Sequence, residues 1–438
     1  MAVKIAKFGG SSLATAQQFE KVAAIIKADG DRRYVVPSAP GKAPGLDEKV
    51  TDMLYACSYA YNMPECASIF ARIVERYEAI IKGLGLNLDL SDDFARTLHN
   101  IQNEYGNDYA ASRGEYFNGM ILAEYLGFPF LDAADCICFD EEGNFNESLT
   151  DERMGALLKK HPYGVIPGFY GADPDGNIVT FSRGGSDITG ALVARAAKAD
   201  IYENWTDVDG CLKADPRIVQ NPITIPRISY SELRELSYMG ASVLHDESIF
   251  PVREAGIPIN IKNTNHPDHP GTMIQAHIPE EEYDSAITGI AGRKGFTSIQ
   301  IEKSKMNNEV GFARKVLSVL EEENISLEHM PTGIDTLSVI VTDGQLEGKL
   351  DRVIKKIYQD ADPDRVDVEE NLALIATVGH GMIRRVGVSA QLFSALAEAG
   401  VNIRMIDQGS SELNIIVGVA EEDFETAVNA IYKGFQNG

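Results

Sequence analysis

Over roughly the first 280 residues, short β-branched runs alternate with longer stretches in which apolar residues recur every three or four positions. Residues 3–5 precede a helical pattern at 19–26, and 178–181 precede another at 188–197. Further strand patterns lie at 201–205 and 257–261. Strands and helices in alternation predict an α/β domain with a largely parallel, buried sheet. The acidic stretch 279–284 reads as a linker.

Beyond it the chain repeats itself. Residues 311–341 lie on 387–417 at a constant offset without a gap, matching Gly311 to Gly387, Ser318 to Ser394, Leu320 to Leu396 and Leu337 to Leu413. Each copy opens with an amphipathic helix, carried in the first by Phe312, Val316, Val319 and Leu320. Two strands across a glycine-containing turn follow, at 325–330 and 337–341 in the first copy. A second helix comes next, at 346–358 in one copy and 424–432 in the other. With strands at 297–301 and 372–378 placed before them, the order is βαββα. The first copy gains a fourth strand at 365–369, whereas the second has none after its last helix. The spare strand pattern at 286–291 is expected to complete the second sheet, with the first copy inserted inside the second.

Composition narrows the function classes. The 438 residues carry 40 Lys and Arg against 65 Asp and Glu, a formal net charge of −25. That balance excludes a broad nucleic-acid surface, which needs clustered cations. It leaves room for small anions in a local pocket. No apolar run reaches the length of a membrane span, and residues 1–10 lack a signal-peptide core, so a cytoplasmic protein is expected. Five cysteines form no disulfide framework, and Cys136-Ile-Cys138 reads as buried small apolar residues. His266 and His269, set among two prolines and a glycine, read as a turn rather than a metal site. Asn146 and Asn204 match a glycosylation pattern that has no meaning in a reducing compartment.

Two glycine turns carry the candidate chemistry. The first strand runs into Lys7-Phe-Gly-Gly-Ser-Ser12, and the strand at 178–181 into Arg183-Gly-Gly-Ser-Asp187, each followed by a helix. Glycines let backbone approach a ligand, and helix N-terminal N–H groups favour an anion. One cation beside each glycine pair points to two anionic groups facing each other, such as a phosphate chain and a carboxylate. A third polar stretch, 204–217, leaves a strand at the carboxyl end where open α/β sheets bind ligands. It brings Thr206, Asp207, Asp209, Lys213 and Arg217.

At these residues the chain resembles the aspartate kinases of the amino-acid kinase family, over essentially its whole length. The motifs that carry the resemblance are Lys7-Phe-Gly-Gly-Ser-Ser12, Ser38-Ala-Pro-Gly41 with Lys49-Val-Thr-Asp52, and Ser112-Arg-Gly-Glu115. They continue with Phe181-Ser-Arg-Gly-Gly-Ser-Asp187, and Thr206-Asp-Val-Asp-Gly210 with Ala214-Asp-Pro-Arg217. The paired repeats resemble ACT domains, amino-acid-sensing modules, and Gln408-Gly-Ser-Ser-Glu412 is characteristic of the second. The resemblance implies a three-layer αβα, carbamate kinase-like domain over residues 1–284. Two βαββαβ ferredoxin-like ACT modules follow over 285–438, the first at about 297–370 inserted in the second at about 285–296 plus 371–438.

The implied activity is transfer of the ATP γ-phosphate to the side-chain carboxylate of L-aspartate, giving 4-phospho-L-aspartate at the start of lysine, threonine and methionine biosynthesis. By position, Lys7 and Asp187 are the implied catalytic residues. Lys7, Phe8, Gly9, Gly10, Thr206, Asp207 and Arg217 would bind ATP, and Thr51, Glu115, Arg183, Gly184, Gly185 and Ser186 would bind aspartate. Mg2+ would be held mainly through the nucleotide phosphates, with no residue assigned to it. The implied effector site is Met306, Gly311, Phe312, Ser326 and Glu328, for an amino acid taken to be L-lysine, in a homodimer or tetramer joined through the ACT region. Glu328 stands where related lysine-regulated enzymes often have Asp. Leu212 and Ser242 stand where the family often has Tyr and Lys near the nucleotide. A non-catalytic amino-acid sensor, or an amino-acid kinase acting on another substrate, stays open as the alternative, whereas a bifunctional kinase–dehydrogenase is not expected at this length.

Overall fold

A computed structural model of the chain describes residues 2–182, 184–241, 244, 246–279 and 285–436. They gather into two compact units. The first comprises Met1–Cys211, Thr224–Tyr230 and Val243–His277, and the second Leu212–Ile223, Ser231–Ser242 and Ile278–Gly438.

In the first unit, β1 (Lys4–Phe8), β2 (Arg32–Pro37) and β3 (Gly164–Val165) pair in parallel. On the other side of β1 come β6 (Ile201–Thr206) and β8 (Ile259–Asn263), also parallel. β9 (Thr272–Gln275) runs antiparallel to β8 and parallel to β7 (Arg227–Ser229), closing a seven-stranded sheet. β4 (Tyr170–Ala172) and β5 (Ile178–Thr180) form a separate antiparallel hairpin. The strand before the second glycine turn is therefore not part of the parallel sheet. All three residues of β5 are only half-buried, whereas a strand inside such a sheet is covered on both faces.

Alternation along β1 sorts its side chains between the faces. Ala6 and Phe8 enter an apolar cluster with Phe19, Leu54, Ile73, Tyr77, Phe94 and Phe117. This cluster is built by helices Ala16–Lys27, Val50–Tyr59, Pro64–Gly83, Ser91–Gln102 and Gly106–Leu126. Lys7, between them in the strand, meets the helix Gly185–Ala197 instead. All five cysteines are buried and unpaired. Asn146 caps the helix Glu147–Lys160 by accepting the Leu149 N–H at 3.1 Å, which is the structural reason for an asparagine there. Among the described residues no helix is long and apolar enough to cross a membrane.

The second unit has one five-stranded antiparallel sheet, ordered β11-β10-β12-β14-β13. β10 (Gly289–Glu302) and β12 (Arg365–Val378) are 14 residues each, and each fuses two strands expected to be separate. β11 is Thr336–Thr342, β13 Met405–Asp407 and β14 Asn414–Ala420. Residues 289–291, in the spare strand pattern, pair with 376–378 of β12, the strand that opens the second copy. The C-terminal half of β10 pairs with β11 on one side and the first half of β12 on the other. Register irregularities between Lys294 and Ser298 mark the junction between the halves. The expected strand at 325–330 is not a ladder. It meets β11 through an isolated bridge at His329 and the Glu328 N–H, which donates to the Ile340 carbonyl at 3.0 Å, and Leu327 is exposed. The expected helix at 346–358 is broken into Asp343–Leu346 and Leu350–Ala361, with Gly348 at φ +68° between them.

The 284 boundary expected from the sequence differs from this partition. Residues 212–223 and 231–242 fall in the second unit, and Ala214 and Val219 are buried there in the cluster of Leu392, Val417 and Ile431. Of the acidic stretch, residues 280–284 lie outside the described residues. Leu392 is fully buried in that cluster, so Leu392→Ala should cost about 2–5 kcal/mol. Thermal unfolding of the full chain should show the loss as a lowered transition, and an unchanged profile would contradict this packing.

Candidate active site

The first glycine turn is shaped by how closely two backbones meet. After Phe8 the Gly9 N–H donates to the Trp205 carbonyl at 2.9 Å, and a 3-10 turn, Gly10–Leu13, precedes the helix Ala16–Lys27. The Gly41 N–H donates to the Gly10 carbonyl at 2.8 Å. A Cβ on Gly10 would stand 2.8 Å from the Ala39 carbonyl oxygen, and one on Gly41 would stand 2.6 Å from the Gly10 carbonyl carbon. Only glycine allows this approach. In the second turn Gly184 takes φ +58° as the cap of the helix Gly185–Ala197, a left-handed conformation that favours glycine.

One ion pair joins the two turns. Lys7 Nζ lies 2.6 Å from Asp187 Oδ1, which also accepts from Asn204 Nδ2 at 2.7 Å. Both partners of the pair are largely buried. Neighbouring Glu203 is sequestered separately: it accepts from Arg32 at 2.7 Å and from the Trp205 indole at 2.9 Å. Asn204, which the sequence offered only as the start of the polar stretch 204–217 and in a glycosylation pattern, thus joins the candidate site. Its signal was a polar side chain inside a strand buried on both faces.

Beside this pair lies Glu115, fully buried on the helix Gly106–Leu126. Burial pushes its carboxyl up to about 8, opposed by the Ala39 N–H and the charges of Lys7 and Arg113. Its Oε2 has no hydrogen-bond partner. Arg113 is itself stacked among the rings of Tyr109, Tyr116 and Tyr170 at 4.3–5.3 Å. Thr51 lies in the first turn of the helix Val50–Tyr59, where the Val50 N–H donates to the Pro40 carbonyl at 3.1 Å. Ser186 is buried against Gly168, and Gly185 against Phe169.

The other expected residues fall in several places. Phe8 is fully buried and stacked on Trp205 at 5.8 Å, so its side chain belongs to the core. Thr206 and Asp207 stand at the carboxyl end of β6, hydrogen-bonded to each other at 3.2 Å. Nearby, Asp209 accepts from Asn263 at 2.8 Å and meets His266 Nδ1 at 3.0 Å, in the turn expected for 266–269. Arg183 and Ser242 lie outside the described residues. Arg217 belongs to the second unit, where its guanidinium is engaged by the Asp215 carboxylate.

In that unit Met306 and Phe312 are buried, and Gly311, at φ +86°, caps the helix Phe312–Glu322. The Ser326 N–H donates to Gln345. Glu328 is nearly buried, accepts from the Tyr238 hydroxyl at 2.7 Å and lies 3.5 Å from Arg293. Neither Tyr238 nor Arg293 was singled out from the sequence, since both are distant in the chain from the repeat that draws attention to Glu328.

Comparison with known proteins gives the family. The family model for the amino acid kinase family matches residues 2–263, and one for the ACT domain matches 375–435. The chain therefore belongs to the amino acid kinase family. It is 40% identical to aspartokinase 3 of Bacillus subtilis, over 99% of this chain and 98% of that one. It superposes on the Clostridium acetobutylicum aspartate kinase with a TM-score of 0.92 at 51% identity, covering 99% of this chain and all of the other. Escherichia coli aspartokinase III, solved with aspartate and ADP, gives a TM-score of 0.74 at 26% identity, over 99% of each chain. The same enzyme with lysine and aspartate gives 0.72, again at 26% identity and over 99% of each chain.

Glu115 makes a stability prediction with a definite sign. Its folded carboxyl is raised towards 8, so the folded chain holds a proton there that the unfolded chain has already lost. Stability from this group is therefore intact at acid pH and is lost as pH rises towards and through 8. Glu115→Gln should remove that loss, so its melting temperature should gain on the wild type more at pH 8 than at pH 5. Parallel profiles at the two pH values would contradict the assignment.

Proposed function

We propose that the first unit transfers the γ-phosphate of ATP to the side-chain carboxylate of L-aspartate, forming 4-phospho-L-aspartate. The observation that carries this reading is the Lys7–Asp187 pair linking two glycine turns, with the unpartnered Glu115 oxygen beside it. The acceptor is a carboxylate already ionised at neutral pH, so no general base is needed. Catalysis then rests on positioning and on electrostatic stabilisation of an in-line transfer.

Lys7, held by an Asp187 carboxylate that Asn204 also donates to, keeps its ammonium fixed where charge develops on the transferring group. Gly9 and Gly10 bring backbone against the phosphates, while Thr206 and Asp207 contact the nucleoside. The substrate ammonium meets Glu115, gives its free oxygen a partner and draws it into the ionised state. Arg183, Gly184, Gly185 and Ser186 take the α-carboxylate, Arg183 through a bidentate fork, and Thr51 adds a hydroxyl. Asp187 is paired with Lys7. Mg2+ would be carried in mainly by the nucleotide phosphates, where it would neutralise phosphate charge.

The second unit is read as two ACT modules, the first inserted in the second. They bind an amino acid, taken to be L-lysine, around Met306, Gly311, Phe312, Ser326 and Glu328. The enzyme works in the cytoplasm as a homodimer or tetramer paired through this region. A coupled ADP assay with a substrate panel, run with and without lysine and threonine, tests the reading. Aspartate-dependent ADP formation, depressed by lysine, is expected, and turnover that ignores aspartate would sink it. In the same assay Arg183→Ala should raise the aspartate KM at least tenfold, the order expected for losing a charged bidentate contact, with ATP binding nearly unchanged.

A further inference from the structure

Arg76, on the helix Pro64–Gly83, is 91% buried although nothing in the sequence pattern marks it for function. Among the described residues its guanidinium pairs with no carboxylate. One terminal nitrogen donates to the Glu48 carbonyl at 2.8 Å and the other to the Gly41 carbonyl. The residue thus grips both ends of the 41–48 loop. Arg72, one turn earlier, holds the same loop through the Glu48 side chain. Arg76 Nε has no hydrogen-bond partner, and burial holds the guanidinium below its usual range. A buried cation costs several kcal/mol unless its geometry is good, so its retention here calls for a return.

The loop's two ends supply that return. Gly41 is the residue whose N–H holds Gly10 in the first glycine turn. Glu48 lies just before Lys49 and the helix Val50–Tyr59, whose first turn carries Thr51. We propose that Arg76 is a positioning residue for the phosphoryl transfer: by bridging the Gly41 and Glu48 carbonyls it sets the Gly10 backbone for the nucleotide and Thr51 for the carboxylate substrate. The inference rests on the proposed function, the aspartate half on its substrate and the nucleotide half only on its placing the nucleotide phosphates at the first glycine turn. A lysine in its place keeps the charge but, as a single point donor, does not span two carbonyls as a planar fork does.

Arg76→Lys and Arg76→Ala in the full chain test this. In folded Arg76→Lys, checked by near-ultraviolet circular dichroism, the aspartate KM should rise about ten- to a hundredfold, the loss typical of an ångström-scale misplacement. ADP should also bind more weakly, read by quenching of Trp205, the single tryptophan, whose carbonyl holds Gly9. Sub-denaturing guanidinium should partly restore Arg76→Ala, because a cavity of about 590 Å3 lined by Thr15, Leu46, Met53 and Arg76 gives it access. Should Arg76→Ala not fold, Arg76→Lys alone decides. Wild-type constants in Arg76→Lys, or a fall in kcat with both KM values and ADP affinity unchanged, would overturn the inference, since a diluted folded population does only the latter. Wild-type protein without aspartate-dependent turnover would sink the proposed function instead, and the ADP comparison would still decide the role of Arg76.

Discussion

Everything in the first unit answers to one buried ion pair, Lys7 with Asp187. Charges taken out of water must be paired and hydrogen-bonded, or they destabilise the fold that holds them. Meeting that demand fixes a chain of local choices. β1 must lie beside β6 so that Asn204 can donate to the same carboxylate. Gly184 must adopt its left-handed turn so that Asp187 stands in the first turn of its helix. Phe8 and Ala6 must take the opposite face of β1 and bury themselves, leaving Lys7 on the side of the site.

A net charge of −25 describes the whole chain and not this site. The overall field is acidic, but the site is governed by what lies within a few ångströms: an ammonium, backbone N–H groups at glycine turns, and a carboxyl kept protonated by burial. Burial pushes the Glu115 carboxyl up to about 8, so at neutral pH it adds little negative charge to the site.

What was legible in the sequence follows a physical line. The glycine turns could be read because close backbone approach and left-handed φ leave few residue choices at Gly10 and Gly184. The repeat could be read because helices with the apolar spacing of Phe312, Val316 and Leu320 recur intact in the second copy. Long-range partnership was not legible. Nothing local to Asn204, Tyr238 or Arg76 states what it will face across tens or hundreds of residues. The fusion of paired strands into β10 and β12 also escaped notice, because a bend at 294–298 interrupts the alternation that defines a strand. β5 misled for the opposite reason: three β-branched or apolar residues look like a sheet strand whether or not both faces are covered.

The partition of the chain has a practical meaning for anyone cutting it. The polypeptide passes from one unit to the other between 211 and 212, 223 and 224, 230 and 231, 242 and 243, and 277 and 278. No single scission separates two self-sufficient pieces. A fragment ending before Ile278 would keep Ala214 and Val219 but lose the core that buries them, while the complementary fragment would expose the surface they cover. Five covalent crossings link the two units, so a cut at any one of them leaves residues of one unit attached to the other.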